Sequence, residues 1–358
     1  MYSAVVSDVN QALQFGIEHL LHEGVIEDSR NGPVLAAPGP VCIEYLNPRA
    51  RVLLSKTRDA NPFFHGMEAL WMLAGAKGIE FPVFFNSTYG QFSDDGRTMW
   101  DAYGWRWRSF FGWDQLDGIV EELKKNSTSR RCVLSMWNAS SSNEEMWTKR
   151  CSVPSDDIPI LMSPGDSNDF YVATHSGLAV PCNTHAYFAV RGGRLNLTVM
   201  NRSNDAIWGC FGANAVQFSM LLEYVAMRVG VPLGSYFQFT NNLHVYTEKF
   251  SREKLEQIAH ECDTLGRTPE PGPALEPGFD EDLKIFMEWA NTAIATGAVP
   301  LTRPDLSTPF MNSVAQPMFM AWAYRKQNDY AASASAISEI QAPDWQRACR
   351  EWVERRKK

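Results

Sequence analysis

The chain has 358 residues, enough for one large core, and its formal net charge of -8 disfavours a broad nucleic-acid-binding surface. It contains no apolar run of the roughly 18–20 residues that a membrane span requires, and no N-terminal secretory signal. The seven cysteines are scattered without CxxC or Cys/His ligand spacing, so we expect a cytoplasmic protein with no disulfide framework and no metal.

Apolar spacing predicts helices and strands in mixed order along the chain. A first amphipathic helix is predicted over 8–23, ending at Gly24, and a buried helix over 63–74 before Gly75. Strands and helices do not alternate regularly, which indicates an α+β fold rather than a doubly wound sheet. The other elements predicted in this part are short strands within 25–60, a helix over 116–125, a strand over 131–136, a hairpin of strands over 185–190 and 195–200, and a helix over 214–229.

Changes in composition divide the chain into a main domain and a C-terminal extension. We assign residues 1–264 to the main domain, which carries a Ser-, Asp- and Asn-rich insertion over about 139–178. The Pro- and Gly-dense stretch 265–280 is interpreted as a linker. The extension, residues 281–358, is predicted to be helical, with helices over 281–296, 313–326 and 343–356.

Cys182 follows a proline at the start of a predicted strand, where an isolated cysteine is ordinarily a small buried hydrophobe. A thiolate nucleophile needs positive charge nearby, which Arg130, Arg131 and Arg202 can supply. Arg130 and Arg131 would point to opposite faces of a regular strand, so they would have different tasks or serve different subunits. A solvated strand edge accounts for the same two residues equally simply.

Glu68 stands inside the apolar helical stretch FFHGMEALWMLAG. If it is buried, its pKa is raised and suits proton transfer, whereas an outward-facing glutamate would be an ordinary surface residue. His244 and Tyr246 share one face of a predicted strand, where they can bind a hydroxyl group or form a packed pair.

Seven ordered blocks between residues 61 and 246 together resemble the thymidylate synthase superfamily, which includes the pyrimidine hydroxymethylases. The blocks are E-x-L-W-x-L-x-G from Glu68, Y-G-x-x-W-R from Tyr103, D-Q-L from Asp114, S-R-R-x-x-x-S-x-W-N from Ser129, P-C at Cys182, R-S-x-D-x-x-x-G from Arg202 and H-x-Y from His244. The resemblance implies a large mixed β-sheet flanked by helices. Residues after 265 match little of the family pattern.

In that family a cysteine thiolate adds to C6 of a pyrimidine nucleoside monophosphate, and 5,10-methylenetetrahydrofolate supplies one carbon to C5. The resemblance therefore implies that Cys182 is the nucleophile and that Glu68 organises water and proton transfer. Arg202 and Ser203 match ligands of the substrate phosphate, and Arg30 is similar to a further phosphate-binding arginine.

The resemblance also implies a homodimer, because Arg130 and Arg131 match arginines that reach the phosphate site of the neighbouring subunit. It implies no membrane or nucleic-acid partner. The remaining matches are Asp205 and Glu68 on the folate side, Tyr103 in the site wall, and His244 with Tyr246 at the sugar hydroxyl.

Departures from the family pattern bear on the product. Asn183 replaces the usual histidine after the cysteine and can hydrogen-bond water but not protonate. A gapless count from Tyr103 puts Tyr89 and Phe92 on the folate side, at two tryptophan positions that flank the reactive centre. One of those tryptophans shields an exocyclic methylene intermediate from water. The change, together with the missing apolar C-terminus, favours a hydroxymethyl product, as in phages with modified DNA, although Tyr89 can also replace tryptophan as a simple wall.

The side chain that recognises the base depends on one inserted residue. A gapless count from Arg202 lands on Ala213, whereas a single insertion puts Asn214 in place. An amide both donates and accepts, so Asn214 fits uracil, and the lack of a nearby aspartate argues against cytosine.

Our first hypothesis is 5-hydroxymethylation of deoxyuridylate with methylenetetrahydrofolate and water. The alternatives are thymidylate synthase, which forms a methyl group and dihydrofolate, and deoxycytidylate hydroxymethylase. A non-catalytic RNA-binding homologue is a minor alternative that the basic tail 355–358 keeps open and the retained Cys182, Arg202 and Glu68 disfavour. If a phage encodes the chain, we expect it in the host cytoplasm.

Overall fold

The computed structural model describes residues 1–138, 169, 180–266 and 268–357. Within them, a six-stranded mixed sheet forms the centre of the molecule. Its parallel and antiparallel pairings alternate across the sheet in part, which confirms the α+β class. In spatial order the strands are β1 (Tyr2–Val6), β4 (Val41–Tyr45), β9 (Leu233–Thr240), β7 (Arg194–Asn201), β6 (Asn183–Arg191) and β5 (Val133–Ser135).

A smaller four-stranded sheet lies beside the main one and positions several polar side chains. Its order is β2 (Val25–Glu27), β3 (Val34–Ala36), β10 (Leu243–Tyr246) and β8 (Asn204–Asp205). The strands β10 and β8 run parallel, with His244 opposite Asp205. Because paired residues of neighbouring strands lie about 5 Å apart, this register brings the two side chains together although 38 residues separate them in sequence.

The predicted hairpin joins β6 and β7, with Arg191 paired to Arg194. Its two turn residues, Gly192 and Gly193, have φ values of 55° and 75°. A two-residue turn of this kind requires positive φ at both positions, which glycine adopts without a steric penalty. The sequence signal for this turn was therefore sufficient by itself.

The helices agree with the predicted ones to within a few residues. The first helix, Val9–Glu23, begins where Asp8 Oδ1 accepts the backbone N–H groups of Asn10 and Gln11 at 2.9 and 3.0 Å. The sequence reading missed two of the longer helices, Arg252–Asp263 and Tyr330–Ser338; the second is rich in Ala and Ser and offers little apolar periodicity. The other long helices are Pro62–Leu73, Gln115–Lys125, Asn214–Val229, Phe279–Thr296, Gln316–Lys326 and Pro343–Glu354.

Helix Pro62–Leu73 is buried along its whole length, because it packs between helix Asn214–Val229 and the C-terminal helices. Phe63 contacts Trp322 and Trp352 of the C-terminal region, with ring centroids 5.4 and 5.9 Å apart. One continuous apolar core includes residues from both regions. The domain boundaries at 264 and 280 stay predictions, but the extension is predominantly helical and packs directly on the helix that carries Glu68.

The strand predicted over 131–136 is shorter than expected and covers only Val133–Ser135. Arg130 and Arg131 therefore precede the strand, and the prediction that they occupy its opposite faces was wrong. The predicted insertion 139–178 lies outside the described residues except for Asp169. Within the described ranges, no helix combines the length and apolar character that crossing a lipid bilayer demands.

Candidate active site

A cavity of about 790 Å³ opens where the smaller sheet meets the start of β6. Twenty residues from distant parts of the chain line it, and nine of them are site residues that the sequence singled out. The predicted site residues in its lining are Arg30, Tyr89, Phe92, Cys182, Arg202, Ser203, Asp205, His244 and Tyr246.

Cys182 lies directly before β6, and the backbone of this segment is fixed by Tyr103. The Tyr103 hydroxyl accepts the N–H groups of Cys182 and Asn183 at 3.0 and 3.2 Å. Tyr103 is buried behind the cysteine rather than in the cavity lining, so the structure gives it a supporting position instead of the expected place in the wall.

Two influences on the pKa of Cys182 act in opposite directions. Removal from water raises the pKa of the thiol above its ordinary value, while the Arg202 guanidinium is the strongest group that lowers it. Arg30 also lowers this pKa, and Arg130 and Arg131 are not among the main influences on it. Burial outweighs the arginines, so the pKa of the thiol stays above its ordinary value.

Arg202 is held beside the nucleophile by backbone carbonyl groups. Its Nε donates to Pro181 O at 2.8 Å, and its guanidinium lies 5.4 Å from the ring centroid of Trp137. These contacts leave part of the guanidinium exposed at the cavity. An arginine in this position can form charge-assisted hydrogen bonds to an anion such as a phosphate group.

Four buried side chains form a continuous hydrogen-bonded chain behind the cavity, which we call the buried relay. Asn204 Nδ2 donates to Asn214 Oδ1 at 3.0 Å, and Asn214 Nδ2 donates to Gln217 Oε1 at 2.9 Å. Gln217 Nε2 then donates to Glu68 Oε2 at 2.8 Å. The relay therefore connects the predicted proton-transfer residue to the predicted base-recognition residue.

Glu68 is 3% exposed, and burial raises its pKa to about 7. The hydrogen bonds from Gln217 and Tyr89 oppose this shift without cancelling it. The inward-facing alternative is therefore correct, and the carboxyl group can both bind and release a proton near neutral pH.

Residues 206–213, which precede Asn214, form a π-helical segment that is interrupted at Gly212, where φ is -99° and ψ is -109°. Asp205 caps this segment by accepting the N–H groups of Ile207 and Trp208 at 2.8 and 2.5 Å. The choice of Asn214 over Ala213 as the base-recognition residue stays a prediction.

Asp205 also carries an unsatisfied acceptor. In the described part of the chain, no hydrogen-bond partner reaches its buried Oδ2 atom, and burial raises the pKa of the carboxyl group. A buried acceptor without a donor is costly, so this atom fits the N–H groups of a pterin ring. The residue type and position are compatible with the folate side of the cavity.

His244 and Tyr246 extend from β10 into the cavity, with their rings perpendicular and their centroids 5.3 Å apart. Asn242 Oδ1 lies 2.8 Å from His244 Nδ1, which fixes the orientation of the imidazole. Asn31 lies 3.5 Å from the Tyr246 hydroxyl. The pair can present hydrogen-bonding groups to a sugar hydroxyl.

Five predicted residues do not line this cavity: Glu68, Tyr103 and Asn214 are buried behind it, and Arg130 and Arg131 lie at the surface. Arg130 and Arg131 are exposed, and Arg131 Nη2 pairs with Glu122 Oε1 at 2.8 Å. Their predicted contribution to the phosphate site of a neighbouring subunit stays a prediction.

The sequence reading missed several residues at the site. Asp101, Trp137 and Asn242 line the cavity, and Gln217 and Asn204 belong to the buried relay. Asp101 stood out only as a single charge in the aromatic stretch MWDAYGW, and Gln217 only as a polar residue in an apolar helix.

Comparisons with known proteins agree with this geometry. The family model described as thymidylate synthase matches residues 16–156 and 168–290. A deoxyuridylate hydroxymethyltransferase of Pseudomonas phage M6 is 39% identical over 98% of this chain and 93% of that protein. Another of Bacillus phage SP01 is 35% identical over 64% of this chain and 57% of that protein.

A thymidylate synthase of Francisella philomiragia is more distant, at 27% identity over 53% of this chain and 65% of that protein. Among solved structures, thymidylate synthase from T4 phage superposes with a TM-score of 0.51 at 20% identity, covering 77% of this chain and 91% of that one. Enzymes of this family use methylenetetrahydrofolate and a pyrimidine nucleoside monophosphate. By its matched residues and its fold, the chain belongs to the thymidylate synthase family.

Proposed function

We propose that this protein is a deoxyuridylate 5-hydroxymethyltransferase, which converts deoxyuridylate, methylenetetrahydrofolate and water into 5-hydroxymethyldeoxyuridylate and tetrahydrofolate. The observation that carries the proposal is the shared cavity, which combines Cys182 and Arg202 with an oriented amide at Asn214 behind it. The printed names of the phage relatives support the same reaction.

The reaction begins at Cys182, whose raised pKa requires that its proton leave as the sulfur attacks C6 of the uracil ring. Arg202 lies close enough to stabilise the developing thiolate and can bind the phosphate group. Glu68 exchanges a proton with the oxygen at C4, a task that suits a pKa of about 7. Bound methylenetetrahydrofolate supplies the one-carbon unit, and Asp205 with Tyr89 and Phe92 would hold it.

The buried relay supports uracil over cytosine. Asn214 uses one lone pair and one amide proton within the relay, so one of each is left for the base. These groups match the N3–H donor and the O4 acceptor of uracil. Reversing the amide for cytosine would place Nδ2 against the Asn204 amide and Oδ1 against the Gln217 oxygen, which breaks two buried hydrogen bonds.

The cavity wall supports a hydroxymethyl product. Tyr89 packs on Phe64 and Trp71, with ring centroids 5.5 and 6.4 Å away, and its hydroxyl is hydrogen-bonded to Glu68. Phe92 is 44% exposed. A wall made of a polar phenol and a solvated phenyl ring excludes water less completely than two indole rings would.

The test is to incubate the purified protein with methylenetetrahydrofolate and either deoxyuridylate or deoxycytidylate, and to determine the product mass. A hydroxymethyl increment on deoxyuridylate without dihydrofolate absorbance is the expected result. A methyl increment with dihydrofolate would instead identify a thymidylate synthase, and a product from deoxycytidylate alone would overturn the role of Asn214.

The proposal includes a homodimer in which Arg130 and Arg131 bind the phosphate of the neighbouring subunit. Its support is their exposure outside their own cavity and the matching arginine pair in the family pattern. Sedimentation equilibrium of the full chain should give twice the monomer mass of 40.4 kDa.

A further inference from the structure

Asp101 is a second carboxyl group at the cavity that the proposed reaction has not yet used. It lines the cavity together with Tyr89, Phe92, Met99 and Cys182. Its charge raises the pKa values of Cys182, Glu68 and Tyr89, so it lies within electrostatic reach of the nucleophile and of the predicted proton-transfer residue. Asp101 therefore lies in the cavity lining together with the nucleophile and with the two side chains predicted to form the folate wall.

The backbone around Asp101 is anchored on one side by a buried ion pair. Arg106 Nη1 binds Asp169 Oδ2 at 2.8 Å, and both side chains are fully buried. Trp100 donates its indole N–H to Asp169 at 3.0 Å, while its carbonyl accepts Arg106 Nε at 3.1 Å. Trp100 is thus fixed immediately before Asp101.

On the other side, the chain is anchored to the nucleophile itself. Tyr103, two residues after Asp101, accepts the N–H of Cys182 at 3.0 Å. The segment 100–103 is therefore held to the Cys182 loop at one end and to the Arg106–Asp169 pair at the other. Such anchoring keeps the Asp101 carboxylate at a fixed position relative to the reacting carbon.

Among the residues that the structure describes, no side chain is shown hydrogen-bonded to the Asp101 carboxylate. The hydrogen bond that lowers its pKa comes from its own backbone N–H, and the nearby Arg106 is engaged by Asp169. Burial raises the pKa of Asp101 to about 6, so the group is largely ionised at neutral pH and is still basic enough to accept a proton.

We propose that Asp101 is the general base that activates water for the final step, an inference that rests on the proposed hydroxymethyl reaction. In this step the carboxylate accepts a proton from water while the water oxygen bonds to the exocyclic methylene carbon. The electron pair of the exocyclic double bond moves into the ring as an enolate. The enolate then re-forms the C5–C6 double bond and expels the Cys182 sulfur as thiolate. No oxidant or reductant is needed.

Glu68 is less suited to this task, although its carboxyl group is also near the site. Gln217 and Tyr89 already bind it, and it lies behind Tyr89 rather than in the cavity lining. Asp101 lines the cavity itself, so a water molecule in the cavity can contact its carboxylate.

The test separates water addition from the earlier steps. Wild-type protein and Asp101→Asn are mixed in excess with methylenetetrahydrofolate and deoxyuridylate tritiated at C5, and two quantities are followed during one turnover. Tritium release reports attack by Cys182 and proton loss from C5, whereas product mass reports water addition. We expect Asp101→Asn to lose product formation by about 100-fold or more while tritium release changes only a few-fold.

Added 2-mercaptoethanol sharpens the result, because a thiol ionises without help and should trap the waiting methylene carbon as a thioether in Asp101→Asn. The product rate of Asp101→Glu should be at least about tenfold higher than that of Asp101→Asn, since glutamate keeps a carboxylate at this position. Asp305→Asn, an exposed aspartate of the C-terminal region, is the charge-matched control and should behave as wild type.

Unchanged hydroxymethyl formation by Asp101→Asn would overturn the inference, as would an equal loss of tritium release and product. A wild-type protein that forms methyl groups and dihydrofolate would instead overturn the proposed function, whatever Asp101→Asn does. If circular dichroism shows that Asp101→Asn does not fold, Asp101→Glu is compared with wild type instead. The inference then requires that Asp101→Glu releases tritium as fast as wild type but forms the hydroxymethyl product more slowly.

Discussion

The inner and outer sides of the active-site cavity differ in how their polar groups are held. On the inner side, the buried relay connects its side chains by hydrogen bonds of 2.8–3.0 Å. On the outer side, Arg30, Arg202 and Phe92 are exposed to solvent. A buried network has its geometry before substrate arrives, whereas exposed cations adopt theirs around the anion they bind. Base recognition should therefore tolerate fewer substitutions than phosphate binding does.

The largest loss of activity is expected when the nucleophile, which lies between the inner and outer sides, is removed. We expect Cys182→Ser to lower kcat by at least about 10⁴-fold, because a hydroxyl is a far weaker nucleophile at neutral pH. Deoxyuridylate affinity, measured by calorimetry, should change little since neither side of the cavity is altered. Cys42→Ser, a half-buried cysteine of β4 outside the cavity, is the matched control. Retained turnover in Cys182→Ser would refute the assignment.

The inner side is tested next with Glu68→Gln, which keeps the shape of the side chain but removes its proton chemistry. We expect a loss in kcat of about 10²–10³-fold, with disappearance of any kinetic transition near pH 7. A pH–rate profile of both proteins measures this. An unchanged profile would show that another group titrates.

The same substitution has an effect on stability with a definite sign. Folding raises the pKa of Glu68 from 4.5 to about 7, so the folded state binds the proton more tightly and wild type loses stability as pH rises through this interval. The loss from Glu68 amounts to about 3 kcal/mol. The free energy of unfolding, measured with urea, should fall less steeply between pH 4.5 and 7 for Glu68→Gln than for wild type. Parallel curves for the two proteins would contradict the raised pKa of Glu68.

Gln217→Met separates the relay from the residues at its ends. The substitution keeps the volume but leaves Glu68 and Asn214 each without one partner, which should lower the free energy of unfolding by about 1–3 kcal/mol. Because only the hydrogen bond from Asn204 then holds the orientation of the Asn214 amide, the preference for deoxyuridylate over deoxycytidylate should also weaken. Ser219→Ala, which removes a bond only to Val216 O of the same helix, should keep that preference.

The smallest effect on stability is expected on the outer side, for Arg130→Ala with Arg131→Ala. Both side chains are exposed, so the free energy of unfolding should stay close to that of wild type. The KM for deoxyuridylate should rise instead. Mixing this double variant with Cys182→Ser should restore activity if sites are shared, since one site of the mixed dimer then has all its residues. If the mixture stays inactive, Arg130 and Arg131 do not contribute to the site of the neighbouring subunit.

Local signals in the sequence were sufficient for most of the helices and for the hairpin. The caps at Asp8 and the glycines at 192 and 193 act on their immediate neighbours, so their effect can be deduced without the fold. The strand at Arg131 was overextended, because pairing with β6 and not propensity decides where β5 begins. The family pattern identified the cavity residues but gave Tyr103 a place in the wall that the structure does not support.

The sequence by itself determined the family, the α+β class and the identity of the residues around Cys182, since these depend on residue types and their order. Only the tertiary structure decided the ionisation of those residues. Burial, a property of the whole packed core, raises the pKa values of Cys182, Glu68 and Asp101. Likewise, Gln217 binds Asn214 on its own helix and Glu68 on another helix 149 residues away in sequence. The second contact exists only because the two helices pack together.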